Sequence, residues 1–414
     1  MESVKRIVQM TEGMAVGSIG GPDTNPLPAP GRVWRPSYRV FLQGGAMTRF
    51  GKRPESLLGI ARAATDSLLA ATDARPDYLL VSNFNAEQFC GLSNLPLRIA
   101  SHQGLPSLPG ARVEATSASG GAAVQQGAAL IGAGLAQQVL VVGVEKMTHV
   151  PTATATAILG QVLHPSEVAA GLSMPAVAAV ATRLWLTTVP GASMAALSAV
   201  ATKNHANAVH NPFAHFQTAL GPQDLASSPL VAEPLRRHDC APLSDGAATL
   251  LLGADSSDVE VVGMGAASQP LALADRPSPL EGKATAVAGG AALAQAGREA
   301  SQVEVAEIHD AFTILELLSL EDLGLLPKGT AHEATLEGIT SIDGRLPTNP
   351  SGGLKARGHP IGASGVAQVI EVAAQLRGEC GGRQVGKGRR PNLGLAHAIG
   401  GFGAASTVTL LARR

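Results

Sequence analysis

From Tyr38 onwards, short apolar segments alternate with alanine-rich segments, and this alternation constrains the fold more than any other feature of the chain. YRVFLQGGA, DYLLVSN and QQVLVVGVE predict strands, while SLLGIARAATDSLLAA and SGGAAVQQGAALIGAGL predict helices between them. Strands that alternate with helices in this way indicate an α/β fold with a largely parallel, buried sheet.

The same order recurs later in the chain. DVEVVGMGA mirrors RVFLQGGA, ATAVAGGAALAQAG mirrors the first helix, and VAEIHDAF mirrors LLVSNFNA. VAQVIEVAAQL followed by PNLGLAHAIGG mirrors the later helix and strand. This recurrence predicts two α/β halves related by internal duplication, at residues 37–255 and 256–414.

Two segments break the pattern. Residues 148–240 are polar and contain several histidines, which predicts a loop domain inserted into the first half. Residues 1–36 are rich in Gly and Pro and predict an N-terminal extension outside the packed fold.

Composition restricts the class of partner and the compartment. The chain has 414 residues, 45% of them hydrophobic, and a net charge of −1, which gives no bulk attraction to nucleic acid or to a membrane surface. It lacks an apolar run long enough to span a membrane. Its three cysteines form no CxxC pair and cannot make a metal site alone. We therefore expect a cytoplasmic protein with no metal and no covalently bound cofactor.

Residues 349–365, NPSGGLKARGHPIGASG, resemble the signature loop of the thiolases, enzymes that make or break carbon–carbon bonds between acyl-CoA thioesters. Four more motifs are similar, in the same order, to segments of sterol-carrier-protein-type and archaeal thiolases: KNHANAVHNPFAHF, DCAPLSDGAATLLL, EIHDAFTILELL and AHAIGGFGAA. The chain is identified on these motifs as a member of the thiolase superfamily over residues 38–411. The resemblance implies a layered α-β-α-β-α core with an inserted loop domain, and a coenzyme A thioester as substrate.

The nucleophile of the family is a cysteine before a buried helix, and the matching position here is Ser117. Two interpretations stay open. Ser117 caps the helix, since serine is favoured at that position, or it is a nucleophile. A hydroxyl nucleophile requires a general base. The resemblance implies His359 for that role, and His397 as a weaker candidate.

The remaining catalytic positions are implied by the same resemblance. The backbone N–H groups of Ser117 and Gly400 would face the acyl oxygen, and His309 and His359 would form a second oxyanion site. Alternatively, His309 is an ordinary histidine at a strand end.

Relatives carry a second cysteine as acid or base at one of two positions, which are Ala311 and Ala398 here. Alanine cannot transfer a proton, so ordinary thiolase activity is doubtful. We expect no replacement from Cys240, in the DCAPLSDG stretch, or from Cys90 and Cys380, which lie outside the matching motifs.

Coenzyme A binding is harder to localise. Lys203, His205 and Arg236 of the loop domain could contact the nucleotide phosphates, or each could belong to a solvated polar loop. The expected partners are an acyl-CoA or acyl-carrier substrate and a second copy of the chain in a homodimer, with an accessory subunit as a further alternative.

Three functions remain. The first is an acyl-CoA acyltransferase or condensing enzyme with serine at the nucleophile position. The second is a thiolase-like retro-aldolase; its relatives use tyrosines, whereas Tyr38 and Tyr78 lie outside the matching motifs. The third is a degenerate thiolase that binds acyl-CoA without catalysis or depends on a partner.

Overall fold

A computed structural model describes residues 38–388 and 390–414. The N-terminal extension expected at residues 1–36 therefore lies outside the described residues. Within the described residues, no helix is both long enough and apolar enough to cross a membrane.

The first half is built from strands and helices in alternation, as the sequence predicts. Its elements are β1 (Phe41–Met47), α1 (Leu57–Ala70), β2 (Tyr78–Ser82), α2 (Ala86–Cys90), α3 (Leu95–His102), β3 (Gly110–Val113), α4 (Ser119–Gly132) and β4 (Gln138–Glu145). The predicted insertion follows, mostly as helices: α5 (Thr152–Gly160), α6 (Pro165–Ala169), α7 (Met174–Thr188), α8 (Met194–Ala208), α9 (Pro222–Ser227), β5 (Leu230–Ala232) and β6 (Leu235–Arg236).

Strand β7 (Gly246–Gly253) completes the first half, and the second half repeats its plan. The elements of the second half are β8 (Val259–Ser268), α10 (Lys283–Ala296), β9 (Val305–Glu307), α11 (Thr313–Asp322), α12 (Ala331–Leu336), α13 (Gly353–Arg357), α14 (Ile361–Arg377), β10 (Leu393–Gly400) and β11 (Ala405–Arg413).

The strand pairing confirms the duplication. Nine strands form one sheet in the order β3-β2-β4-β7-β1-β8-β11-β10-β9. In the run β2-β4-β7-β1, β2 pairs parallel with β4, β4 pairs antiparallel with β7, and β7 pairs antiparallel with β1. The run β9-β10-β11-β8 repeats that sequence of orientations. The halves meet where Phe41 of β1 pairs with Glu260 of β8.

The prediction of a largely parallel sheet is wrong, because the sheet is mixed. β7 and β11 return antiparallel beside β4 and β10, and β1 and β8 lie antiparallel beside them in turn. All eight residues of β7 are nevertheless buried. A strand that is buried on both faces is apolar along its whole length, whether its neighbours are parallel or antiparallel. The apolar run of β7 therefore looks like that of a parallel strand and does not show the strand direction.

Helices α4 and α14 pack against each other and against strands of both halves, so they form the central helical layer. Near the start of each helix, the two backbones approach each other at a pair of glycines. A Cβ added to Gly120 would lie 2.7 Å from the backbone nitrogen of Val366 and 2.9 Å from the Cα of Gly365. A Cβ on Gly365 would lie 2.5 Å from the backbone nitrogen of Gly121. The helices can approach this closely only because neither glycine has a side chain.

We predict that Gly120→Ala lowers the free energy of unfolding by about 1–3 kcal/mol, since the added methyl group would force the two helix backbones apart. Gly290→Ala in α10 is the matched control, because a Cβ there meets no atom of the described chain within 4 Å. That variant should gain about 0.5–1 kcal/mol from the better helix propensity of alanine. Chemical denaturation measures both changes, and equal effects would contradict the packing argument.

Candidate active site

A strained turn positions Ser117 directly before α4. Thr116 has a φ of +52°, a conformation that costs a β-branched residue on the order of 1–3 kcal/mol. The hydroxyl of Ser119 stabilises the turn, since it accepts a hydrogen bond from the Ala115 N–H at 2.8 Å and donates to the Thr116 carbonyl at 2.5 Å. Gly400 packs against the turn, where a Cβ would lie 2.6 Å from the Ala115 carbonyl oxygen and clash with the Thr116 hydroxyl.

Ser117 does not cap the helix. The capping position is Ala118, which makes no side-chain capping bond. The Ser117 hydroxyl instead lies 3.3 Å from Nε2 of His359, whose loop immediately precedes α14. The capping interpretation is therefore wrong, and the structure brings together the two residues that the sequence proposed as nucleophile and base.

The hydrogen bonds of His359 define which ring nitrogen carries the proton. Its Nδ1 lies 2.7 Å from the hydroxyl of Ser364, and that hydroxyl donates its one hydrogen to the Pro360 carbonyl at 2.9 Å. Ser364 must therefore accept from Nδ1–H. The Nε2 lone pair is then directed at the Ser117 hydroxyl, as a general base requires.

His359 is neutral in this environment. Burial lowers its pKa to about 3, and the nearby guanidinium of Arg357 acts in the same direction. Gly358 has a φ of +107°, so the tight bend before the histidine requires glycine. The backbone N–H of His359 donates to the Ser244 hydroxyl at 3.3 Å, which fixes the loop from the other side.

His309 lies beside His359, with the ring centroids 5.1 Å apart and the rings nearly perpendicular. It is 2% exposed, and its Nδ1 has no hydrogen-bond partner within the described part of the chain. Burial lowers its pKa well below the ordinary value, and the neighbouring His359, His397 and Arg357 further disfavour a positive charge there. A neutral imidazole has one N–H donor and one acceptor nitrogen, so His309 can hydrogen bond a substrate atom without carrying a charge.

Ser117, His309 and His359 line one cavity of about 400 Å³. Among residues 38–388 and 390–414, no Asp, Glu, Lys or Arg lines it. Most of the wall is apolar and comes from both halves and the loop domain: Phe84, Met147, Leu159, Val162, Met174, Leu243, Phe312, Leu315, Ile361, Ile399 and Phe402. An apolar cavity with a few polar groups on one side is typical of a small-molecule site.

His397 and Gly400 do not line this cavity. His397 is fully buried, and its Nε2 lies 3.3 Å from the hydroxyl of Thr285 on α10. Burial lowers its pKa to about 3. Gly400 acts from behind the lining residue Thr116, by leaving room for the strained turn.

The three candidate phosphate ligands also lie away from the cavity. The ammonium of Lys203 is committed to internal partners: Glu316 at 3.0 Å, the Thr348 carbonyl at 2.8 Å and the Asn204 side chain at 2.6 Å. Its surroundings therefore give it a structural role instead of the expected contact with phosphate.

His205 and Arg236 also have internal partners. The ring of His205 stacks on Phe216 with centroids 5.6 Å apart, and burial lowers its pKa to about 4. It therefore carries no charge for a phosphate at neutral pH. Arg236 donates to the Ser228 carbonyl at 2.6 Å.

The sequence analysis set Cys240 aside as a replacement for the missing acid, but Cys240 lines the cavity. Ala311 lines it as well, whereas Ala398 does not. The motif DCAPLSDG gave no sign of this position, because a motif match does not tell which face of the backbone a side chain occupies. Across the described residues, no three His, Cys, Asp or Glu side chains are grouped to hold a metal ion.

Comparison with known proteins agrees with the fold. Residues 40–256 match the family described as the N-terminal domain of thiolase, and residues 265–413 match the thiolase C-terminal domain-like family. The chain therefore belongs to the thiolase superfamily.

Individual relatives belong to the same superfamily. The chain is 39% identical to the acetyl-CoA acetyltransferase of Methanothermobacter thermautotrophicus, over 81% of this chain and 88% of the relative. It is 31% identical to sterol carrier protein 2 of Bos taurus, over 90% and 72% respectively. Among solved structures, the Ltp2-ChsH2(DUF35) aldolase has a TM-score of 0.76 at 24% identity, over 92% of this chain and 98% of that one, which supports the shared fold.

The buried neutral histidines predict a specific acid sensitivity. His397 has a folded-state pKa of about 3, below its ordinary value of 6.5, so the unfolded chain binds its proton first as the pH falls. Its contribution to stability is complete above pH 6.5 and declines towards pH 3. When the pH is lowered from 7 to 4.5, the unchanged chain should therefore lose about 2 kcal/mol more of its free energy of unfolding than His397→Gln loses. Urea denaturation at both pH values measures this, and parallel pH profiles would contradict it.

Proposed function

We propose that the protein is an acyl-CoA acyltransferase or condensing enzyme in which Ser117 accepts the acyl group. The observation that supports this most strongly is the Ser117–His359 hydrogen bond, with Ser364 fixing the tautomer of His359. The Ser117 oxygen attacks the thioester carbon as its proton passes to Nε2 of His359. The carbon–sulfur bond then breaks, coenzyme A leaves as the thiolate, and His359 holds the serine proton until the serine oxygen leaves again. The acyl-serine ester next transfers its acyl group to the second substrate.

The charge that develops on the acyl oxygen needs hydrogen-bond donors. In our proposal the backbone N–H of Ser117 and the ring of His309 serve as those donors, while His359 holds the serine proton and Gly400 supports the turn from behind. We assign His397 no part in the reaction, because its ring faces Thr285 on α10.

The apolar wall of the cavity supports an uncharged acyl group as substrate. The names of relatives are consistent with this. They include the acetyl-CoA acetyltransferase already described and the benzoylsuccinyl-CoA thiolase subunit BbsB of Thauera aromatica, which is 29% identical over 88% of this chain and 95% of the relative. We propose a coenzyme A thioester as the donor.

Acylation of Ser117 is the direct test. Incubation with an acyl-CoA should add one acyl mass to the intact protein, and Ser117→Ala should abolish that adduct because it removes the hydroxyl that lies against Nε2 of His359. Ser173→Ala is the matched control. Ser173 lines the same cavity, whereas the hydroxyls that contact the ring of His359 are those of Ser117 and Ser364. An adduct that persists in Ser117→Ala would rule out the serine mechanism.

A second prediction concerns Ser364, which acts on the substrate only through His359. Ser364→Ala should slow acylation about 10–100-fold, since it removes the acceptor that keeps the proton on Nδ1. The KM for acyl-CoA should change little, because Ser364 does not line the cavity. Ser364→Thr keeps the hydroxyl and should restore most of the rate. Equal losses in the Ala and Thr variants would contradict a positioning role.

A partner-dependent form of the same activity is the second candidate. Leu230 and Val231 of the β5–β6 hairpin are 59% and 47% exposed, and Val231 also lines the cavity, so apolar surface continues from the site to the outside. The relative from Thauera aromatica is named as a subunit of its enzyme. Acylation that appears only when an accessory subunit is co-purified would favour this candidate.

We further propose a homodimer formed through the first half. Strand β3 is at the end of the sheet order, and its outer edge pairs with no other strand in the part of the chain that the structure describes. An unpaired edge can extend the sheet into a second copy. Light scattering tests this proposal, and a monomer at micromolar concentration would contradict it.

A further inference from the structure

One segment of the chain runs between the two histidine loops of the site. Residues 240–244, here called the crossing segment, lie against the loop of His309 on one side. The Ala241 N–H donates to the Ala311 carbonyl at 2.8 Å, and Cys240 forms an antiparallel bridge with Phe312. On the other side the crossing segment forms a parallel bridge between Leu243 and His359.

Side-chain hydrogen bonds tie both ends of the crossing segment to the two histidine loops. Before it, Asp239 accepts a hydrogen bond at 3.0 Å from the hydroxyl of Thr313, which begins α11. At its far end, Ser244 accepts the His359 backbone N–H at 3.3 Å. The crossing segment therefore cannot shift without moving one of the two histidine loops.

Cys240 is part of the cavity wall in this segment. Its S–H donates a weak hydrogen bond to the Arg236 carbonyl at 3.6 Å, which a rotation about the Cα–Cβ bond would exchange for a bond to a substrate. Among the described residues it is the only cysteine that lines the cavity; Cys90 contacts the Lys146 carbonyl and Cys380 is buried beside Glu371. His309, whose Nδ1 is unpartnered within that same part of the chain, lines the cavity as well.

Ser117 and His359 can move an acyl group, but they cannot by themselves make or break a carbon–carbon bond. That reaction also requires a proton at the α-carbon of the acyl-CoA to be added or removed. His359 is committed to the serine, and Ala311 and Ala398 cannot transfer a proton. His309 is neutral and placed to donate a hydrogen bond to an oxygen. A thiol in the same cavity has a proton to give.

We infer that Cys240 is the catalytic acid and base for the α-carbon, in a reaction that rests on the proposed acylation of Ser117. In the cleavage direction, Ser117 oxygen bonds to the 3-keto carbon of a 3-ketoacyl-CoA, and His359 takes the serine proton. The bond between carbons 2 and 3 breaks, its electron pair stays on carbon 2, and Cys240 S–H delivers a proton there. The products are a shortened acyl-CoA, an acyl-serine and a Cys240 thiolate.

The second half of the reaction restores the enzyme. The Cys240 thiolate takes the proton of a free coenzyme A thiol, whose sulfur attacks the acyl-serine. The Ser117 oxygen leaves and recovers its proton from His359. The new acyl-CoA departs, and every group has returned to its starting state.

The surroundings of the thiol are consistent with the cleavage direction. Burial raises the pKa of Cys240 to about 12, Asp239 acts in the same direction, and the ammonium of Lys355 opposes both. The resting thiol is therefore protonated. It is still a far stronger acid than the α-carbon of a thioester, so proton delivery to that carbon is downhill.

Hydrogen exchange at the α-carbon tests this assignment. Incubated with a short acyl-CoA in D2O, the protein should replace α-hydrogen with deuterium, as followed by proton NMR. Cys240→Ala should slow this exchange at least about 100-fold. In the same samples, acylation of Ser117 should fall less than about tenfold, which also shows that the variant is folded. Cys90→Ala is the matched control and should exchange at the original rate, because Cys90 lies outside the cavity.

The outcomes separate this inference from the proposed function. Exchange within tenfold of the original rate in Cys240→Ala overturns the role of Cys240, as does an unchanged chain that is acylated but exchanges no hydrogen. Exchange that depends on Cys240 without any acylation of Ser117 overturns the serine assignment and supports Cys240. Absence of both reactions overturns both.

Discussion

The close contact between α4 and α14 is the interaction on which the site depends. Each helix begins within two residues of a catalytic candidate: α4 begins at Ser119, after Ser117, and α14 at Ile361, after His359. Because Gly120 and Gly365 let the two helices meet near their starts, the preceding loops lie side by side. The 3.3 Å separation of the serine oxygen and the histidine nitrogen is thus a consequence of helix packing. The duplicated halves supply one member of the pair each.

Around this contact the protein builds an apolar, uncharged cavity. Burial keeps His309 and His359 neutral, and charges nearby are paired internally, as Arg357 with Glu307 and Lys203 with Glu316. In such surroundings a hydrogen bond is stronger than in water, and an unpaired polar group is more costly. His309, which lines this cavity in its neutral form, is therefore suited to hydrogen bond a substrate atom without bringing a charge into it.

Much of this arrangement could be predicted from sequence, and the failures have physical causes. The duplication was visible because burial imposes the same apolar pattern on corresponding elements, but strand direction was not, since burial does not record it. Ser117 and His359 lie in motifs that the sequence shows. The tautomer of His359, in contrast, depends on a hydrogen bond to Ser364, five residues later. The place of Cys240 in the cavity wall could not be predicted, because it results from backbone bridges between segments distant in sequence. Cys240 pairs with Phe312, and Leu243 pairs with His359. Lys203 looked available because its ion partner, Glu316, is distant in sequence.

The central claim is that Ser117 accepts the acyl group with His359 as its base. A crystal structure of the protein soaked with an acyl-CoA tests it most directly. The account predicts continuous density from Ser117 Oγ to the acyl carbon, with His359 Nδ1 still on Ser364 and its Nε2 within hydrogen-bond distance of the ester. An acyl group attached to Cys240, or an intact thioester with His359 turned away from Ser117, would contradict it.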